Sequence, residues 1–440
     1  MIAILGGGPA GRLAAIRLAS AGKQVTLVEH GGIGGQCLHS GCMPVCAMND
    51  VARLIHSARE LDNLGVIKSI PAIDFPVLLR EMEKIQQTIT AILDRETHEA
   101  GVKIIYGKSG RLSGRRVYAG DEELEAEAVI AATGSRPFVP DIPGVSLPGV
   151  FTSRTLPGMK KLPKKIVVIG GSVVAAEFSY IFSTFGSEVT ILSRSTFLKD
   201  TDKHIRTLAV KELEGVTIRE NTPVLSVNGT SRVASVTCRE EELETDAVFL
   251  AAGLVPNSES LEGLKKGALG EVIVDNHMRT SVPGVYACGD VVGPPYLTPV
   301  ARHQGIVAAD NILGIPRIMD YQNIPRSISL THELAYSINE TEGMGSITFP
   351  GPAGPGSFWS VPSGQTGFAK MIFDPETGDL GGFCAAGPGG GLIAGYMAFL
   401  MKKHFTVHDF EEFIEVHPST DGVYGLARYT SALLKKRKYS

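Results

Sequence analysis

Ile2-Ala3-Ile4-Leu5 runs directly into Gly6-x-Gly8-x-x-Gly11, and Lys165-Ile166-Val167-Val168-Ile169-Gly170-Gly171-Ser172-Val173-Val174-Ala175 repeats the pattern in the middle of the chain. Each copy reads as a short apolar strand, a tight turn and the start of a helix. In the first, Gly6 permits the turn, Gly8 lets backbone approach a pyrophosphate at the helix N-terminus, and Gly11 allows close helix–strand packing. A second strand over 24–28 ends in Glu29, placed to accept hydrogen bonds from a ribose. The strand over 188–192 restates it. The repeat predicts an α/β chain with two Rossmann-like dinucleotide-binding domains.

The copies differ at the positions that would meet a nucleotide. Glu29 lies twenty-three residues after Gly6, and the same offset from Gly170 falls on Ser193, followed by Arg194 and Ser195. An acid suits a free ribose 2′-hydroxyl; an Arg flanked by hydroxyls suits a 2′-phosphate. The alternative reading of Arg194 is a solvated strand-end residue. Ser172 replaces Gly8, which predicts weaker or shifted nucleotide binding, and Ala175 replaces Gly11.

Just past the first turn comes Gly34-Gly35-Gln36-Cys37-Leu38-His39-Ser40-Gly41-Cys42-Met43-Pro44. Two thiols beside a cofactor turn point to redox chemistry. In one continuous helix residues five apart rise about 7.5 Å, too far for a disulfide, so a Cys37–Cys42 bridge requires an irregular helix start, for which Gly41 and Pro44 are suited. A zinc or iron–sulfur site could instead recruit Cys37, His39, Cys42 and Cys46, although no paired C-x2-C ligands occur. Cys238, Cys288 and Cys384 stand alone in apolar surroundings and read as core.

At 440 residues the chain exceeds one core and divides into several domains. A net charge of −4 gives no reason to expect a nucleic-acid partner, and Lys435-Lys436-Arg437-Lys438 reads as a solvated tail. No apolar run reaches membrane-spanning length and the N-terminus begins a strand, so neither a membrane span nor a signal peptide is expected. The expected compartment is the cytoplasm, where a cysteine pair is more often catalytic than structural. Periodicity predicts a long helix over 75–100 and strands over 103–106 and 128–132. A buried strand over 246–253 is expected to return toward the first domain. After about Tyr321, strands alternate with one helix over 392–403, and 351–356 is a Pro/Gly-rich loop.

Taken together, the first turn, Glu29 and the G-G-Q-C-L-H-S-G-C-M-P run resemble the disulfide-active-site branch of the pyridine nucleotide-disulfide oxidoreductases, which includes dihydrolipoamide dehydrogenase and glutathione reductase. Ala131-Ala132-Thr133-Gly134-Ser135-Arg136-Pro137 resembles that family's crossing between cofactor domains, and Gly284-Val285-Tyr286-Ala287-Cys288-Gly289-Asp290 its second flavin motif. Leu297-Thr298-Pro299-Val300-Ala301 resembles the helix start under the isoalloxazine, and the C-terminal His417-Pro418-Ser419-Thr420 extends the likeness over nearly the whole chain.

The resemblance implies FAD bound by Gly6, Gly8, Gly11, Glu29, Gly134 and Asp290, with NAD or NADP at Gly170, Ser172, Ala175 and Arg194, NADP slightly favoured. It implies an FAD domain over 1–145 and 261–320, an NAD(P) domain over 146–260, and an interface domain over 321–440 that forms a homodimer. It makes Cys37 the interchange sulfur, Cys42 the sulfur nearer the flavin and His417 the acid–base of the partner subunit. The substrate would be a small thiol or disulfide, or a lipoyl-carrying protein. Glu177 matches the family Glu that pairs with a Lys near the flavin, but Cys46 occupies the Lys position, as a third thiol or, more in keeping with a small hydrophobe, a packing residue. Gly422 stands where the family has the Glu that orients the His; Asp421 is one position early. A dihydrolipoamide dehydrogenase-like enzyme is the leading expectation. The alternatives are an NADPH-dependent low-molecular-weight disulfide reductase and a flavoprotein electron carrier or sensor with little nicotinamide turnover.

Overall fold

The computed structural model describes every residue except 240, 340, 341, 352–355, 419–421 and 440, and the side chains of 437–439. Ile2–Leu5 is buried along its whole length, as a strand covered on both faces must be. It sits at the centre of a five-stranded parallel sheet in the order Val285–Ala287, Ala128–Ala131, Ile2–Leu5, Val25–Glu29, Lys103–Tyr106. Helix Pro9–Ser20 crosses helix Thr298–Ile312 so closely that a Cβ on Gly305 would lie 2.3 Å from the Ala10 carbonyl oxygen.

The second turn heads a parallel sheet in the order Thr217–Arg219, Glu188–Leu192, Lys165–Ile169, Ala247–Leu250, Val150–Phe151. This corrects the expectation for 246–253. The strand is an interior member of the second sheet, and the chain returns only afterwards, where Leu254–Pro256 pairs antiparallel with Ser135–Pro137. Its apolar run reflects cover on both faces, with Phe249 packed against Phe178 at 4.2 Å between ring centroids, the rings tilted by 35°. Truncating either ring to Ala is expected to cost about 3–5 kcal/mol.

The C-terminal unit is a five-stranded antiparallel sheet, Arg326–Ser329, Glu333–Ile338, Leu380–Gly387, Phe368–Phe373, Gly345–Pro350. Among the described residues it carries two α-helices rather than the one expected: Gly390–Lys402, and Val423–Tyr439, which includes the basic run read as a tail. Lys435 is ion-paired to Glu411 at 2.6 Å. Most of the loop over 351–356 lies outside the described residues.

One continuous apolar core joins Met48, Ala52 and Ile55 of helix Cys42–Asn63 to Phe178 and Ile181 of helix Val173–Phe185 and to Ile328 and Leu334 of the C-terminal sheet. The cysteine-bearing helix is thereby fixed against both neighbouring units.

Candidate active site

At the first turn Gly6 has φ +109°, and a Cβ there would lie 2.3 Å from the Ala132 carbonyl oxygen. A Cβ on Gly11 would lie 2.0 Å from the Gly6 carbonyl oxygen, whereas the nearest atom to one on Gly8 is 3.8 Å away. Gly6 and Gly11 therefore close the turn and Gly8 leaves open space over it. Helix Pro9–Ser20 has no side-chain cap, so its first N–H groups remain available to an anion. The Glu29 carboxylate accepts hydrogen bonds from the N–H of Gly7 at 2.6 Å and of Gly31 at 2.7 Å. Gly134, at φ +70°, precedes Ser135, whose hydroxyl donates to Asp290 at 2.7 Å. Burial raises the Asp290 pKa, and this hydrogen bond opposes the shift.

Helix Gly35–His39 stops before Ser40, Gly41 adopts φ −119° and ψ −116°, and a new helix begins at Cys42. The irregular start demanded by the spacing is present, and Cys37 and Cys42 stand on different helices as free thiols. The hydrogen bond with Cys42 is the largest influence on Cys37 and, against the opposing effect of burial and with help from Thr298 and Arg302, brings its pKa to about 6. The same hydrogen bond and burial push Cys42 up. One proton is thus shared by the pair, with Cys37 the sulfur that ionises. The Cys42 sulfur also lies 3.5 Å from the Thr298 hydroxyl, at the start of helix Thr298–Ile312.

Cys46, one turn beyond Cys42, reaches the surface with its thiol partly shielded, and that partial desolvation together with the charges of Cys42 and Glu177 raises its pKa. Glu177, on helix Val173–Phe185, accepts the Ser329 N–H at 3.0 Å, yet burial pushes its carboxyl up to about 7. With a neutral thiol in place of a Lys, the Ser329 N–H and the charge of Arg53 are what favour the carboxylate, and burial outweighs them. No group of three or more His, Cys, Asp or Glu able to hold a metal occurs among the described residues.

The second turn opens on a cleft of about 490 Å³ lined by Gly170, Ser172, Ser193, Arg194 and Ser195 among others. Ser172 precedes the helix, but its hydroxyl donates to the Ala251 carbonyl at 3.2 Å, turned back onto the sheet end. Ser193 is buried and faces Gly171 as Glu29 faces Gly7: a Cβ on Gly171 would lie 2.2 Å from its hydroxyl oxygen. Ala175 is fully buried. Arg194 is exposed and has no hydrogen-bond or ion-pair partner among the described residues.

His417 is exposed, and among the described residues no contact links it to Cys37 or Cys42 of the same chain. Asp421, considered as its orienting group, lies outside the described residues. The same C-terminal unit exposes large apolar side chains, Ile414 at 91%, Val416 at 80% and Leu392 at 74%. Sequence reasoning placed the helix at 298 but missed Thr298 and Arg302 as neighbours of the thiols, since a hydroxyl and an Arg carry no signal until the fold brings them to the cysteines.

Residues 1–305 match the family described as pyridine nucleotide-disulphide oxidoreductase, and residues 352–428 match its dimerisation domain. Among curated relatives, dihydrolipoyl dehydrogenase of Bacillus subtilis (strain 168) is 29% identical over 444 residues, covering 95% of each chain. That of Acholeplasma laidlawii is 35% identical over 324 residues, covering 71% of this chain and 96% of the other. Among solved structures, LpdA from Mycobacterium tuberculosis superposes with a TM-score of 0.87 at 25% identity, covering 98% of this chain and 99% of that one. The HOCl-induced flavoprotein disulfide reductase RclA from Escherichia coli has a TM-score of 0.85 at 24% identity, with 99% of each chain covered, a likeness of fold.

Proposed function

Because the chain belongs to the pyridine nucleotide-disulphide oxidoreductase family, we propose that it passes electrons between NAD(P)(H) and a thiol or disulfide substrate through Cys37 and Cys42, most like dihydrolipoyl dehydrogenase. The observation that carries this reading is the free thiol pair split between two helices, with Cys37 ionising at about 6. Thiolate, not thiol, is the nucleophile in disulfide exchange. The space over Gly8, the uncapped helix at Pro9 and the carboxylates of Glu29 and Asp290 fit FAD, with Gly6, Gly11 and Gly134 shaping the backbone around it. The cleft at Gly170, Ser172, Ala175 and Arg194 fits a nicotinamide coenzyme. We assign 1–145 with 261–320 to FAD, 146–260 to NAD(P) and 321–440 to a homodimer interface in a cytoplasmic enzyme.

Bound FAD would supply two-electron transfer between the nicotinamide and the thiol pair. In the reductive direction Cys37 attacks the substrate disulfide, forms a mixed disulfide and releases one thiolate, which His417 of the partner subunit protonates. Cys42 then displaces the second thiolate and closes the Cys37–Cys42 disulfide. The dehydrogenase direction reverses these steps, with His417 taking the proton. A homodimer accounts for a His that a single chain leaves exposed beside uncovered apolar surface. The absence of an acid at Ser193 and the unpartnered Arg194 favour NADPH, hence a low-molecular-weight disulfide reductase as the second reading.

Steady-state turnover with NADPH or NADH and a panel of disulfides and dithiols tests the proposal. Cys37→Ser and Cys42→Ser are expected to abolish turnover, and His417→Ala to lower it about 100-fold, the scale of a lost general acid–base. Mixed dimers of Cys37→Ser and His417→Ala subunits are expected to regain activity at one of two sites. Full activity of either Cys variant would overturn the proposal.

A further inference from the structure

Helix Thr298–Ile312 enters the site with the Thr298 hydroxyl 3.5 Å from the Cys42 sulfur. Arg302 follows Thr298 by four residues, and such neighbours lie on one helix face with Cβ atoms about 6 Å apart. Arg302 is exposed, and among the described residues it has no hydrogen bond or ion pair that would neutralise it. Its charge acts on Cys37. Arg302 is the fixed positive charge that acts on Cys37; of the other groups around the thiols, Thr298 is neutral, Cys46 is a raised thiol, Glu177 is about half protonated near neutrality, and the charge of Arg53 acts on Cys46 and Glu177. An unpartnered guanidinium beside a nucleophile attracts whatever anion the incoming reactant carries.

We propose that Arg302 is a specificity residue that selects disulfides bearing a carboxylate or other negative charge close to the scissile bond. The inference rests on the disulfide-exchange reading above and names its substrate class. The exchange is balanced: the Cys37 thiolate and RSSR give the Cys37–SR mixed disulfide and RS⁻, and the Cys42 thiolate then gives the Cys37–Cys42 disulfide and a second RS⁻. Arg302 stabilises the anionic substituent of R as each sulfur departs, and the electrons returned to the thiols come from the nicotinamide coenzyme.

The test has two arms on the holoenzyme. In the first, the reduced protein is alkylated with iodoacetate and with iodoacetamide, and the rates at Cys37 are read by peptide mass spectrometry. One charge at roughly 6 Å in a hydrated cleft gives about a three- to tenfold bias, so Arg302→Ala is expected to lower the iodoacetate-to-iodoacetamide ratio by that factor, Arg302→Lys to keep most of it and Arg302→Glu to invert it. In the second, kcat/KM is compared for dithiodiglycolate, hydroxyethyl disulfide and cystamine, which are anionic, neutral and cationic around similar disulfides. Wild type is expected to rank them in that order and Arg302→Ala to flatten the ranking. An alkylation ratio unchanged in Arg302→Ala overturns the proposal. So does a shifted ratio with an unchanged ranking, which leaves disulfide exchange standing. Failure of wild type to turn over any disulfide removes the functional reading itself, and the alkylation arm separates that result from the absence of an Arg302 effect.

Discussion

At the first glycine-rich turn the Glu29 carboxylate spans the N–H groups of Gly7 and Gly31, and at the second the buried Ser193 hydroxyl faces Gly171 with the exposed Arg194 beyond it. The backbone paths correspond, since both turns place a strand, a positive-φ glycine and a helix in the same order. The side chains do not. A carboxylate held by two amides offers an acceptor already oriented for a ribose, while an unpartnered Arg offers a charge with nothing to satisfy it. The same local fold therefore presents opposite electrostatics to its two nucleotides, and the difference lies in the residues at the end of the second strand.

The strongest way to break the comparison is at the third glycine. Gly11→Ala places a methyl 2.0 Å from the Gly6 carbonyl oxygen, so the turn must open. It is expected to yield protein that loses FAD on purification or fails to fold, read by absorbance and the thermal midpoint. The counterpart Ala175→Gly keeps its turn and costs about 1 kcal/mol in helix propensity. Equal tolerance of both substitutions would show that the third position is packed no more tightly in the first turn than in the second.

Arg194→Ala sharpens the comparison. NADPH affinity is expected to fall about tenfold, the low end for a charge-assisted hydrogen bond because the residue is exposed, with NADH unchanged in the same titration. Equal weakening of both coenzymes would return Arg194 to a solvated strand-end residue. Ser172→Gly should restore the character of the first turn. Since the hydroxyl is already drawn to Ala251, the expected gain is about two- to threefold for both coenzymes, with a capping change of only a few tenths of a kcal/mol.

An effect on stability rather than on binding concerns Glu177, on the second helix only. Its carboxyl ionises near 4.5 when unfolded and about 7 when folded, so folding disfavours the charged form. Stability is unaffected at low pH, declines as pH rises through this window and levels off above it. With allowance for solvent reaching a half-buried group, Glu177→Gln is expected to recover about 1 kcal/mol at pH 8 and none at pH 4, measured by denaturant unfolding of the cofactor-stripped protein. A pH-independent difference would place the cause elsewhere.

The turns, the Cys pair and the long helix Phe75–Glu99 were legible because each rests on a local rule: glycine where no Cβ fits, a break at Gly41, a capped apolar period. Helix Val423–Tyr439 was missed although Val423, Leu426, Ala427, Thr430, Ser431 and Leu434 form a regular buried face. Two of those six are hydroxylated, and Thr430 satisfies itself on the Leu426 carbonyl at 2.8 Å, so the face does not read as apolar. The pairing of 254–256 with 135–137 and the approach of Thr298 and Arg302 to the thiols join segments more than a hundred residues apart, which no local pattern records. Cys46 was open to two roles, a third thiol or a small packing residue; the fold brings it to the surface with its thiol partly desolvated.

The central claim is that Cys37 and Cys42 cycle between dithiol and disulfide at the expense of nicotinamide coenzyme. Peptide mass spectrometry of the air-oxidised protein, before and after anaerobic addition of one equivalent of NADPH or NADH and rapid alkylation, tests it directly. The account predicts that the peptide holding Cys37, Cys42 and Cys46 begins two hydrogens light with only Cys46 open to alkylation, and takes up two further alkyl groups, at Cys37 and Cys42, after the coenzyme is added, while Cys238, Cys288 and Cys384 stay unchanged. A Cys37–Cys42 peptide that is already dithiol in air, or that remains a disulfide after both coenzymes, would contradict it.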